Sequence, residues 1–192
     1  MSDKGAFDLL SDGLVKRLRD ASAEYPEGER FEVTPDEYRI DIRRDGAYVY
    51  IYMGAVNPQR DRSASSHHNF EVEFYIDAVT RLSGRKEGEE RTRAGEVAAS
   101  RCRYLLQQVL DSLRFGQRET YGLPDGSIGK REIRRIDPAT PDGQQTENVI
   151  VAYRMTLSFT VGYDPSKDEG VALEQIRFDA ERWKAWFDYA SS

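Results

Sequence analysis

One cysteine, Cys102, and two histidines, His67 and His68, are all that the 192 residues hold of those two types. A lone cysteine excludes an internal disulfide and suits a reducing compartment such as a cytoplasm. Two adjacent histidines leave a transition-metal cage short of ligands, since such a site needs three or four groups and an outer shell to orient them. Positive charge is also in deficit: 28 Lys and Arg face 34 Asp and Glu, for a net charge of −6 and a pI near 5.1. That balance argues against a general nucleic-acid binder and leaves room only for a local basic patch. Large apolar residues are scarce, with Leu, Ile, Val and Phe supplying 41 of the 192 positions. This share is barely above the range of disordered chains and implies one compact core with long polar loops. No apolar run is long enough for a membrane span, and the opening "MSDKGAFDLL" has neither the basic nor the apolar segment of a signal peptide. The expectation is a soluble protein made in the cytoplasm. G-x-S-x-G, Walker A and G-x-G-x-x-G motifs are missing, as are internal repeats and low-complexity tracts.

What is present is periodicity. In "DKGAFDLLSDGLVKRLRDA", Phe7, Leu10, Leu14 and Leu18 recur at intervals of three and four, which predicts an amphipathic N-terminal helix. The breakers Pro26, Gly28 and Pro35 follow. "EYRIDIRRDGAYVYIYMGAV" then places two alternating runs around Asp45-Gly46, and this pattern predicts a tight β-hairpin over 38–53. After the polar loop 57–66, "HHNFEVEFYIDAV" alternates strictly. His68, Phe70, Val72, Phe74, Ile76 and Ala78 share one face, and His67, Asn69, Glu71, Glu73, Tyr75 and Asp77 the other. A charge run at 81–93 reads as a solvated loop. "AGEVAASRCRYLLQQVLDSLRF" carries Val97, Ala98, Cys102, Leu105, Leu106, Val109 and Leu113 as the stripe of the main helix, expected to pack across the sheet.

Beyond the turn-rich stretch 116–130, "REIRRID" is a short strand candidate. "NVIVAYRMTLSFTVGYD" is the longest extended run, expected inside the sheet, with Val149 to Val161 on one parity and Arg154, Thr156, Ser158 and Thr160 on the other. Leu173, Ile176, Ala180, Trp183 and Phe187 restore a helical period, which predicts a C-terminal helix with Trp186 off its stripe. The fold class is therefore α/β of the α+β type: an antiparallel or mixed sheet of about five strands, a long helix across one face, and helices at both termini. The division expected is a domain over 1–163 and a helical extension over 164–192.

Each candidate site has a plainer reading. Glu71 and Glu73, two apart on one strand face and helped by His67, have a legal metal geometry, but a solvated or interfacial strand face is favoured. Cys102 lies on an apolar helix stripe, where a cysteine acts as a small core hydrophobe. Acidic pairs such as Glu89-Glu90 sit in a charge run and have nothing to make them useful catalytic acids. Tyr48, Tyr50 and Tyr52 share one strand face and would make a stacking platform for sugars or bases. Val49, Ile51 and Met53 back them, however, so packing or subunit contact is favoured. Lys130, Arg131, Arg134 and Arg135 form a basic patch of ordinary size. No catalytic residue, metal or cofactor is expected.

The leading helix, the tyrosine-rich strand ending "YIYMGAV" with Gly54, the strand "FEVEFYIDAV", the helix "AGEVAASRCRYLLQQVLDSL" and the final long strand together resemble the tail terminator, or tail completion, proteins of tailed bacteriophages, over residues 3 to 163. The resemblance implies a subunit of a hexameric ring that caps the tail tube, stops its polymerisation and joins the tail to the head connector. The implied partners are other copies of the chain, the tail tube protein, the head-tail connector or head completion protein and the tail sheath, with DNA only passing through the channel. The implied location is the virion, after assembly in the host cytoplasm. The interface residues expected are Tyr48, Tyr50, Tyr52, Glu71, Glu73, Tyr75, Trp183, Trp186 and Phe187. The extension after Tyr163 and the insertions at 81–93 and 114–130 depart from shorter members. They leave another neck or sheath-associated role as the alternative, and a small ligand-binding module using the tyrosine face as the alternative from a different class.

Overall fold

Leu10, Leu14 and Leu18 are fully buried on α1 (Ala6–Glu24), as their spacing requires, with Val15 and Ala21 filling the flanks. The computed structural model describes residues 5–35, 44–59, 68–83, 89–113, 120–123, 127–139 and 148–163. After α1 come a single 3-10 turn (Glu27–Glu29), β1 (Glu32–Thr34), β2 (Gly46–Gln59), β3 (His68–Ser83), α2 (Glu89–Ser112), β4 (Ile128–Ala139) and β5 (Asn148–Tyr163). The five strands form one mixed sheet in the order β1-β2-β3-β5-β4, with β1 parallel to β2 and every other pair antiparallel. This is an α+β fold with both helices on one face. α1 lies over β1 and β2, and α2 over β3 and β5.

The alternation of the sequence decides which side chains meet those helices. Val72, Phe74, Ile76 and Ala78 of β3 line up with Phe159, Leu157, Met155 and Tyr153 of β5, and Val49 and Ile51 of β2 continue the layer. Phe74 and Phe159 meet edge to face at 5.9 Å, both fully buried. On α2 the small residues Ala94, Ala98 and Cys102 face the sheet, which lets the helix approach closely. Thr80 Oγ1 donates to the Ala98 carbonyl at 2.9 Å, and the Cys102 thiol lies 3.3 Å from the carbonyls of Ala78 and Val151. Burial pushes the Cys102 thiol above its usual pKa, so less thiolate is present at a given pH than in a free cysteine. Cys102 is expected to stay unmodified by a thiol reagent at pH 8 in the native protein and to react stoichiometrically in urea. Rapid native labelling would show that α2 does not hold this contact.

Several expected boundaries shift. α2 begins at Glu89, inside the segment read as a charged loop, and β3 runs on to Ser83. β2 extends to Gln59, into the segment read as loop, and the short strand candidate becomes the twelve-residue β4. Val97 is 42% exposed, because it lies a third of a turn from Ala98 and off the stripe assigned to it. The hairpin at Asp45-Gly46 is also revised. Opposite Tyr48–Tyr50, one edge of β2 is held by β1 in parallel and the other by β3. A hairpin arm has no edge left there. β1 takes the position because it brings Val33 under α1, where Arg19 donates to the Val33 carbonyl at 3.0 Å. Residues 36–43, the first arm of the expected hairpin, lie outside the described residues.

Candidate functional site

The face of the sheet away from the helices gathers Tyr48, Tyr50 and Tyr52 from β2, Glu71, Glu73, Tyr75 and Asp77 from β3, and Arg154 and Ser158 from β5. Register makes the connections. Tyr52 pairs with Tyr75, Tyr50 with Asp77, and Asp77 with Arg154. The Tyr52 and Tyr75 rings sit 5.4 Å apart, tilted by 53°, and the Arg154 guanidinium lies over both, 5.6 and 5.4 Å from their centroids. Arg154 also grips Asp77 with two bonds of 2.8 and 2.9 Å. Asp77 is 1% exposed and Arg154 about 40%. The bond to the carboxylate holds the guanidinium still further above its ordinary pKa, against the opposing effect of burial.

A second ion group lies toward the opposite end of the same face. β4 slips register between Ile133 and Arg135, and the extra residue, Arg134, reaches across β5 to Glu71 and Glu73. Ser158 Oγ donates to Glu71 at 2.9 Å. Glu71, Arg134 and Ser158 border a shallow depression of about 110 Å³ that Gln59 and Lys130 also line. That is well below the roughly 300–1,000 Å³ of ligand pockets. The register of β2 also shifts between Met53 and Val56, around Gly54. A methyl group at Gly54 would come within 2.9 Å of Tyr75 Cζ, so the glycine is what lets the Tyr75 ring approach the β2 backbone.

Of the expected interface residues, Tyr48, Tyr50, Tyr52, Glu71, Glu73 and Tyr75 therefore do share one face. Tyr50 is only 9% exposed and clusters with Val79 and Ala152, so its ring is part of the packing. Burial, then Glu32, raises the Tyr48 phenol above its usual pKa. The Tyr52 and Tyr75 rings are occupied by Arg154. The trio is thus not an open stacking platform. Glu71 and Glu73 converge on Arg134, and among the described residues no three His, Cys, Asp or Glu side chains come together as a metal would need. His67, Trp183, Trp186 and Phe187 lie outside the described residues. Asp77, Arg154 and Arg134 were missed as a set. Asp77 and Arg154 each stood on a polar parity, but nothing local linked residues 77 positions apart.

The class defined by fold and site is an α+β sheet protein with one helix-covered face and one ion-paired aromatic face. No family model and no curated protein matches the chain. A solved structure known only by a sequence identifier is similar at 17% identity over 83% of this chain and 97% of its own, with a TM-score of 0.41. Among the described residues, no helix is long and apolar enough to cross a membrane.

Proposed function

We propose that this chain is a structural protein of a tailed bacteriophage: a ring subunit that caps the tail tube, ends its polymerisation and joins the tail to the head connector, with no chemistry at any step. The observation that carries this reading is the state of the sheet's two edges. Among the described residues β4 has no strand on its outer side along all twelve positions, and β2 has none beyond Tyr50, where β1 stops. Long free edges are templates for pairing with another chain. Two of them on opposite sides of one sheet make a head-to-tail contact, which closes into a ring when the rotation per subunit divides a full turn. The ion-paired face then supplies a surface that is firm without being sticky. The acidic net charge suits a channel through which DNA slides, because cationic walls would hold the phosphates. The element order adds the likeness to tail terminators.

Deletion of the gene from the phage is the test. Tubes of uncontrolled length and filled heads without tails are the expected products. Normal-length tails firmly attached to filled heads would move the function elsewhere, and so would a particle in which the subunit has no neighbour of the same chain.

A further inference from the structure

The helical layer ends before the sheet does. A helix about 10 Å across covers two strands spaced about 4.8 Å apart, so α1 and α2 seat over four strands and leave the fifth bare. That strand is β4, and its two isoleucines on the helical side, Ile133 and Ile136, opposite Leu157 and Met155, are 38% and 40% exposed. The facing wall comes from α2. Tyr104 and Gln108 reach Glu29 beside α1, so Leu106 and Leu110, on the opposite flank of the same helix, look toward β4. Both are partly buried against the core. Together the four side chains form an apolar groove running between α2 and the edge of the sheet.

We infer that this groove is the seat of the chain's own C-terminal segment, residues 171–187. The described chain ends at Tyr163, two residues past Val161, which pairs with Ile128 at the start of β4. The segment therefore sets out from the mouth of the groove, and residues 164–170 are enough to turn it back. As a helix its seventeen residues would span about 25 Å, close to the roughly 30 Å from Val161 back to Ala152 along β5. Leu173, Ile176, Ala180, Trp183 and Phe187 supply a continuous apolar stripe. One charge of β4, Arg131 opposite Phe159, stands on the helical side beside the mouth of the groove, and 164–192 is net acidic, with seven acidic and four basic residues. This inference stands independently of the ring reading.

Both tryptophans of the protein, Trp183 and Trp186, lie in this segment, so tryptophan emission reports on it alone. In dilute full-length protein the emission is expected to be blue-shifted and independent of concentration. Ile133→Thr with Ile136→Thr, which keeps β-branched residues in the strand, should move it to the position of the unfolded chain while far-UV circular dichroism still shows the folded sheet. Val97→Thr with Tyr104→Thr, on the other flank of α2, should leave it unchanged. Water-exposed emission in the native protein, an unmoved spectrum in the groove variant, or a blue shift that appears only as concentration rises would each overturn the assignment. The last would place the segment on a second copy.

Discussion

Arg154→Leu is expected to cost the folded protein about 2–3 kcal/mol, somewhat less than the ~3–5 of a fully enclosed ion pair that loses one partner. The cost lies on the side of the carboxylate. Asp77 is 1% exposed, and its firm partners are the two guanidinium nitrogens at 2.8 and 2.9 Å; the Tyr52 hydroxyl, at 3.4 Å, is too distant to replace them. Removing Arg154 therefore leaves a buried charge with little to stabilise it. The reverse change is milder, because Arg154 is about 40% exposed and can turn to water. Asp77→Leu alone should thus destabilise less than Arg154→Leu. The double variant should recover much of the loss, since two apolar side chains between the Tyr52 and Tyr75 rings leave no stranded charge. Urea unfolding with an unchanged m-value measures all three. A double variant as unstable as the sum of the single ones would show that the pair is not coupled and that this face is held by the rings alone.

Gly13→Ala is expected to reverse the sign that helix propensity assigns to it. Alanine in a helix interior is favoured over glycine by about 1 kcal/mol, and Gly13 is in the middle of α1. Yet a methyl group there would come within 2.6 Å of Tyr121 Cβ and closer still to its carbonyl. Backbone cannot swing aside as a flexible side chain does. Tyr121 is held at φ 49° and is followed by Gly122 at φ 85°, so the loop is already in the left-handed region. Its ring packs edge to face on Phe159 at 5.7 Å, under the Arg131 guanidinium at 5.6 Å. Pushing Tyr121 away thus disturbs the centre of the core. Overpacking of this kind costs about 1–3 kcal/mol, or several degrees in Tm at about 2–4 °C per kcal/mol for a chain of this size. A variant with a higher Tm would mean that α1 and the 120–123 turn stand further apart than described.

The amino-acid sequence by itself determined what depends on neighbours a few positions away. Leu10, Leu14 and Leu18 could bury only as one face of a helix, and the strict alternation from Phe70 to Ala78 and from Val149 to Val161 could bury only as strands with a single apolar side. Hence the α+β class, the two described helices and the two long inner strands were legible, as was the shared face of the tyrosines with Glu71 and Glu73. Tertiary structure decided what depends on register between distant segments. The same alternation that put Asp77 and Arg154 on polar sides did not say that β5 would lie next to β3, with residue 77 opposite residue 154. The bulge that turns Arg134 toward Glu71 and Glu73 left no local mark in "REIRRID". Asp45-Gly46 looked like a hairpin because turn chemistry is local. β1 nevertheless claimed that edge of β2, and in doing so it buries Val33, with Phe31 before it, beneath α1. Gly13 is the same lesson in a single residue: a defect by helix propensity, and a necessity once the Tyr121 backbone lies against it.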